Sequence, residues 1–212
     1  MYNSVFFDLD GTITQSEFGI IESILYALEK LGIHEENPDN LKRFIGPPLF
    51  NAFQDFYDLS DEKAEEAVRI YREYYGGGGM FNAPLYEGIA DTIKTLHAQG
   101  KKLYVVTSKP TPFAKRIVEH FELLSYFEEV VGPDFSDKGY TKEALVKRAM
   151  ELSGAPDYIM VGDRHYDIEG AKAAGIHSIG VTYGYGSRKE LEEAGATYVA
   201  DHASEIQSIC NR

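Results

Sequence analysis

Cysteine occurs once in the 212 residues, at Cys210, so no intramolecular disulfide can form and a reducing cytoplasm is the expected compartment. No apolar run approaches the ~20 residues that a membrane helix needs. The opening Met1-Tyr-Asn-Ser4 lacks a basic region followed by an apolar stretch, so no secretory signal is expected. Basic residues are in the minority, 21 Lys and Arg against 34 Asp and Glu, which leaves a formal charge of -13. Nucleic acid and anionic membranes select for basic surface, so neither is an expected partner. The acidity itself reads as a solubility feature, and any anionic substrate must be attracted by local cations or a metal. None of the six histidines stands in an HxH, HxxxH or Cys-paired cluster, which argues against zinc. Low complexity is absent apart from one glycine run, and the length suits one core plus a small accessory domain.

The elements that are present fall into two patterns. Val5-Phe6-Phe7 is a short apolar run that stops at Asp8-Leu9-Asp10-Gly11-Thr12, the form of a buried strand feeding a turn. From Glu17 the period becomes helical, with Ile21, Ile24, Leu25, Leu28 and Leu31 on one face and Gly32 as C-cap. Residues 62–75 repeat that pattern, and no strand is expected between Ser16 and Asn82. The run Gly76-Gly77-Gly78-Gly79 reads as a helix stop and flexible connector. It is no phosphate-binding fingerprint, because no strand precedes it and no GK[ST] follows.

After Pro84, helices alternate with strands expected at 103–106, 130–131, 158–161 and 178–181. Thr111 is read as an N-cap with Pro112 in the first turn, and Thr141 as the N-cap of a helix that Gly154 ends. Such alternation predicts an α/β domain with a doubly wound parallel sheet, formed by residues 1–15 and 84–212. An all-helical domain, residues 16–83, interrupts it after the first strand.

In such sheets ligands bind outside the carboxyl ends of the strands. Four groups are expected there: Asp8 with Asp10, Thr107-Ser108-Lys109, Gly162-Asp163 with Asp167, and Lys142 at the start of the helix leading to the 158–161 strand. Carboxylates brought together in this way need a neutralising cation, and an oxygen-only donor set fits Mg2+. Asp8 and Asp10 point the same way from an extended stretch. Both could hold the metal, or one could attack phosphorus while the other handles the leaving-group proton. Gly11 and Thr12 are expected to turn the backbone so that N–H groups face phosphate oxygens. Thr107 or Ser108 offers a hydroxyl to the same phosphate. Lys142, as first helical residue, opposes the helix dipole unless an anion sits opposite. It is preferred over Lys138 in the preceding loop.

On these residues the chain resembles the haloacid dehalogenase superfamily. The resemblance lies in Phe7-Asp8-Leu9-Asp10-Gly11-Thr12, Thr107, Lys142 and Gly162-Asp163-Arg-His-Tyr-Asp167 in that order. The helical insertion and Gly180-Val-Thr-Tyr-Gly-Tyr-Gly186 are similar to the phosphoglycolate-phosphatase-like branch. The resemblance implies a cap domain and an aspartyl-phosphate mechanism. Asp8 would be nucleophile and Mg2+ ligand, and Asp10 would be acid/base and bind the metal through its carbonyl. Thr107 and Lys142 would hold the phosphoryl group, Asp163 would bind metal, and Asp167 would orient metal waters. Asp10 points to phosphate rather than halide chemistry. Two positions depart from the common pattern: Gln15-Ser16 stands where many relatives have Asp-Ser, and Glu143 rather than Pro follows Lys142.

The expected activity is hydrolysis of a small phosphorylated metabolite by a monomer or weak dimer. Alternatives within the mechanism are a 5′-nucleotidase, a pyrophosphatase or a phosphomutase. A phospho-receiver module fits less well, since its acceptor follows a later strand. Arg43, Gly46 and Lys109 are candidate specificity residues, the first two beside the rigid bend Gly46-Pro47-Pro48. Tyr71, Tyr74 and Tyr75 read as core of the helical domain rather than a base-stacking platform.

Overall fold

The structure is a computed structural model and describes every residue except Gly46, Lys138 and Gly139. The chain divides into two compact units, one of residues Met1–Gln15 and Leu85–Arg212, the other of Ser16–Pro84. Among the described residues no helix is long and apolar enough to cross a membrane.

The first unit is built on six parallel strands. They are β1 (Ser4–Phe7), β2 (Lys102–Val106), β3 (Glu129–Val131), β4 (Tyr158–Gly162), β5 (His177–Val181) and β6 (Tyr198–Ala200), in the spatial order β3-β2-β1-β4-β5-β6. The chain winds outward from β1 in one direction through β2 and β3, then returns to the other side of β1 for β4, β5 and β6. This is the doubly wound arrangement, and its switch point lies between β1 and β4. Around it run α4 (Ile89–Ala98), α5 (Thr111–His120), α6 (Lys142–Ser153), α7 (His165–Ala173), α8 (Arg188–Ala194) and α9 (Ala203–Cys210). Both faces of the sheet are covered, so strand residues of either parity are apolar. Phe6, Tyr104, Val106 and Met160 pack with Leu145, Val146 and Ala149 of α6 and Ala171 of α7. Phe7, of opposite parity, is equally buried and meets Phe127 edge to face at 6.3 Å.

Three elements beyond the sequence expectation complete this unit. Strand β6 has three residues, and α8 carries a single buried residue, Leu191, in a run of charges. Neither length nor periodicity marks such elements. Helix α9 has a readable stripe of Ala203, Ile206, Ile209 and Cys210. It is anchored by Lys101, whose buried ammonium donates to the carbonyls of Tyr2 at 2.7 Å and Cys210 at 3.2 Å. Thr111 is the first residue of α5 rather than its cap; its N–H is already satisfied by the Pro133 carbonyl at 2.9 Å.

The second unit contains α1 (Glu17–Lys30), α2 (Leu49–Tyr57) and α3 (Asp61–Gly77), with 3-10 segments at Pro38–Phe44 and Gly79–Phe81. Its core includes Phe44 packed on Phe53 and Phe56, and the stacked rings of Tyr71 and Tyr75 at 5.3 Å. Tyr74 instead lies against Tyr26 and donates to Glu22 at 2.9 Å. The glycine run provides the expected helix stop, but only at its third residue, and Gly79 opens a 3-10 segment. Gly76 and Gly77 remain helical, and the stop falls at Gly78, whose φ of 154° only glycine adopts readily. Tertiary packing explains the departure: α1 crosses so close that a Cβ on Gly19 would lie 2.1 Å from the Gly79 carbonyl oxygen.

This contact separates two alanine substitutions. Gly19→Ala should destabilise the protein by roughly 1–3 kcal/mol, since a backbone oxygen cannot step aside. Gly77→Ala has open space around its Cβ and should be neutral or stabilising by up to about 1 kcal/mol. Denaturant melts of the two variants check this, and equal midpoints would refute the packing account.

Candidate active site

Strand register brings the candidate residues together. Phe7 pairs with Val105 on one side and Val161 on the other, so the residues that follow, Asp8, Thr107 and Asp163, leave the sheet at nearly one level. The Asp8 N–H donates to the Val161 carbonyl at 2.9 Å, carrying the ladder one step further. Asp8, Asp163 and Asp167 each place a carboxylate oxygen within 4.8 Å of the others. All three are buried, at 9%, 0% and 2% exposure. Leu9 turns into the core while Asp10 points with Asp8.

Two lysines answer these carboxylates. Lys142 Nζ is 2.8 Å from Asp8 Oδ1 and 2.7 Å from Asp167 Oδ1. It begins α6, with the Thr141 hydroxyl capping that helix by accepting from the Ala144 N–H at 3.2 Å. Its stem fits because α7 has glycine opposite: a Cβ on Gly170 would lie 2.8 Å from Lys142 Cγ. Lys138, the competing lysine, lies outside the described residues. Lys109 Nζ is 3.0 Å from Asp10 Oδ2 and is buried. A specificity residue was expected at Lys109, but its ammonium faces the acid/base candidate. The signal for this was the spacing, since Lys109 leaves β2 two residues after Thr107.

Other expected residues take different posts. Thr107 is buried, and its Oγ1 accepts from the Lys109 N–H at 3.1 Å, leaving the hydroxyl hydrogen to donate. The Ser108 carbonyl accepts from the Tyr140 hydroxyl at 2.8 Å. Gly11 and Thr12 do not present the N–H groups expected for phosphate. Gly11 N–H donates to the Thr14 carbonyl at 2.8 Å and Thr12 N–H to that of Leu9 at 3.3 Å, both within the turn. The Thr12 hydroxyl donates to Asp163 Oδ1 at 3.1 Å. Gly11, at φ +84°, serves close approach: its Cβ would lie 2.2 Å from Asp163 Oδ2. Arg43 belongs to the helical unit, where its guanidinium covers the Phe56 ring at 4.3 Å, and Gly46 lies outside the described residues.

The segment after β5 supplies residues for which the sequence suggested no role. Tyr185 N–H donates to Asp163 Oδ2 at 2.9 Å, and the Tyr183 hydroxyl donates to the Thr12 carbonyl at 3.1 Å. Their only signal was the motif Gly180-Val-Thr-Tyr-Gly-Tyr-Gly186.

Burial dominates the electrostatics. It pushes the Asp8 carboxyl from its ordinary 3.8 to about 7; Lys142 opposes the shift, while Asp167 and Asp10 add to it. Asp163 is pushed well above 3.8 by burial, then by Asp167 and Asp8, against the Tyr185 N–H and Thr12 hydroxyl. Burial weakens the Lys142 ammonium, but Asp167 and Asp8 outweigh it and hold its proton more tightly than usual. Fully ionised, the four carboxylates would face two ammonium groups, a shortfall of two positive charges. Among the described residues, Asp10 Oδ1 is a buried side-chain oxygen with no hydrogen-bond partner. An oxygen-only cluster with this charge deficit fits a hard divalent cation.

A buried cluster of carboxylates and lysine at the carboxyl ends of parallel strands occupies the usual ligand-binding position of a doubly wound sheet, and comparison with known proteins gives the class. The profile of the haloacid dehalogenase-like hydrolase family matches residues 5–181. A 5′-nucleotidase of Pseudomonas aeruginosa is 38% identical over 206 residues, covering 96% of this chain and 93% of that protein. A phosphoglycolate phosphatase of Salmonella typhimurium is 34% identical over 228 residues, covering 92% and 87%. The crystal structure of a predicted phosphatase from Clostridium acetobutylicum superposes with a TM-score of 0.91 at 44% identity, covering 99% of this chain and 98% of that one. The chain belongs to the haloacid dehalogenase-like hydrolases.

The raised Asp8 value has a testable consequence. Its folded pKa lies above the unfolded one, so its contribution to stability is favourable below about 4 and is lost as pH rises through about 7. Asp8→Asn removes that penalty. In metal-free protein it should raise stability at pH 8.5 by roughly 1–2 kcal/mol, or a few degrees, and much less at pH 5. Melting curves at both pH values decide the matter; an equal or reversed difference would contradict the assignment.

Proposed function

We propose that the protein is a Mg2+-dependent phosphatase that hydrolyses a small phosphomonoester through an aspartyl-phosphate on Asp8. The observation that carries this reading is the cluster itself: Asp8 beside Asp163, Asp167 and Lys142, with Asp10 projecting alongside and paired to Lys109. It is a phosphoric monoester hydrolase of the haloacid dehalogenase-like type. Residues 1–15 and 85–212 are assigned to the catalytic core and residues 16–84 to its cap, a boundary one residue later than the sequence suggests. Similarity over nearly the full length to a 5′-nucleotidase puts nucleoside 5′-monophosphates first among substrates to test, followed by phosphoglycolate. The enzyme is placed in the cytoplasm and works as a monomer or weak dimer.

Asp8 and Asp163, with the Asp10 carbonyl and Asp167 alongside, would hold the metal. Bound Mg2+ supplies positive charge to the transferring phosphoryl group. Asp8 attacks phosphorus, forming an O–P bond as the ester P–O bond breaks, and Asp10 gives its proton to the departing oxygen. Water then attacks the same phosphorus and gives a proton to Asp10, releasing phosphate and regenerating the Asp8 carboxylate. Lys142 and the Thr107 hydroxyl hold phosphoryl oxygens through both steps. Lys142 must share its proton donors between Asp8 and the phosphoryl group, and its tightly held proton keeps it cationic throughout.

The two aspartates separate experimentally. Asp8→Asn should abolish turnover and phosphoenzyme together; substantial Mg2+-dependent activity in it would sink the covalent path. Asp10→Asn should slow hydrolysis of alkyl phosphates by about 100-fold or more. It should slow phosphorylation of Asp8 by an aryl phosphate much less, because a phenolate leaves without a proton. Equal losses on both substrates would remove Asp10 from the proton role.

A further inference from the structure

One carboxylate outside the site grips the loop between two of its residues. Glu190, on α8, accepts through Oε1 from the His165 N–H at 3.0 Å, from His165 Nδ1 at 2.8 Å and from Arg164 Nε at 2.8 Å. A carboxylate only accepts, so His165 carries its hydrogen on Nδ1. Arg164 and His165 directly follow Asp163, and Arg164 is the N-cap of α7, with Asp167 three residues on. The Arg164 N–H donates to Asp167 Oδ2 at 3.1 Å, and the Asp167 N–H donates back to the Arg164 carbonyl at 3.1 Å. Glu190 therefore holds the residue whose backbone holds Asp167.

The same side of the fold presses on Asp163. Gly186 comes so near that a Cβ there would lie 2.0 Å from the Asp163 carbonyl oxygen and 3.4 Å from Arg164 Cδ. Ser187 then caps α8, its hydroxyl accepting from the Glu190 N–H at 3.1 Å. The loop that gives Asp163 a backbone donor from Tyr185 thus runs straight into the helix that carries Glu190. A partly buried carboxylate gathering three donors, one of them charged, makes stronger bonds than a solvated surface pair.

We propose that Glu190 is a positioning residue for the metal-binding loop, holding the turn from Asp163 to Asp167 in the shape that directs both carboxylates toward Asp8. This rests on the metal reading of the site. Residues that orient ligands without touching the metal commonly change its affinity by about 10- to 100-fold.

Direct Mn2+ binding, followed by loss of the free-ion electron paramagnetic resonance signal, tests this without recourse to activity. Wild type should bind one Mn2+ that Asp163→Asn abolishes. Glu190→Ala should weaken binding about tenfold or more. Glu190→Gln, which keeps one acceptor oxygen at the same reach, should fall between them. Leu191→Val thins the core contact of α8 while leaving Glu190 in place, and should lower the melting temperature without moving the Mn2+ affinity. A folded Glu190→Ala within twofold of wild type overturns the proposal, as does an equal weakening in Leu191→Val. If Glu190→Ala does not fold, an unchanged affinity in Glu190→Gln overturns it. Failure of wild type to bind Mn2+, or binding that survives Asp163→Asn, removes the metal reading and this proposal with it.

Discussion

Much of this α/β unit is organised by the cost of burying like charges. Asp8, Asp163 and Asp167 lie within 4.8 Å of one another with almost no solvent contact, and isolated carboxylates do not tolerate that. Each is held by donors from a different part of the chain. Lys142 reaches from α6 to Asp8 and Asp167, Thr12 from the β1 turn to Asp163, Tyr185 from the β5 loop to Asp163, and Arg164 from its own backbone to Asp167. Glycine stands where these segments converge because no Cβ fits: Gly11 against Asp163, Gly162 against Asp167, Gly170 against Lys142. The local sequence is thus dictated by electrostatics first and by packing second.

The fold delivers those groups cheaply because all six strands share a direction. One register aligns Phe7 with both Val105 and Val161, and every chemically competent segment is simply the next few residues of a strand. The arrangement also explains how 16–84 can interrupt the unit without disturbing it. Thr14 bridges Leu85, the Tyr86 N–H donates to the Ile13 carbonyl at 3.1 Å, and Gln15 Nε2 donates to the Leu85 carbonyl at 3.3 Å. The chain therefore leaves and rejoins the α/β unit at a closed stub. For that unit the insertion is a loop, and loop length carries only a slowly growing entropic cost.

Legibility in the sequence followed the strength of the local signal. Strands β1, β2, β4 and β5 were readable as apolar runs bounded by turn residues, and Thr141 and Gly154 marked the ends of α6 through their own backbone chemistry. Strand β6 and helix α8 were not readable, being short and held by contacts from elsewhere. At the site, Asp8, Asp163, Asp167 and Lys142 were legible because strand ends must converge. The partners of Lys109, Thr12 and Glu190 were not, since each contact joins segments far apart in sequence and depends on side-chain direction. The glycine run marked the stop of α3 but not its position within the run: propensity governs an isolated helix, whereas α3 ends where packing on α1 lets it.

Different lysines meet the two carboxylates of the Asp-x-Asp motif, Lys142 at Asp8 and Lys109 at Asp10, which gives them different surroundings. Two carboxylates two residues apart at one strand end project the same way, so their spacing alone does not tell nucleophile from acid. The surroundings do. Asp8 shares Lys142 with Asp167 and has an oxygen within 4.8 Å of Asp163, so it belongs to a carboxylate cluster that fits a hard cation. Asp10 has a lysine at one oxygen, Lys109, while its other oxygen is buried and has no hydrogen-bond partner among the described residues. A carboxylate fixed through one oxygen and without a hydrogen-bond partner at the other fits the proposed proton role, because the fixed side sets its direction while the second oxygen keeps its hydrogen-bonding capacity for a substrate. A carboxylate in such a cluster, beside Lys142, fits the proposed nucleophile role, because the cations that would neutralise it would also hold the phosphoryl group. On the proposed mechanism, the division of labour between Asp8 and Asp10 would lie in their neighbours, Lys142 and Lys109, rather than in the aspartates themselves.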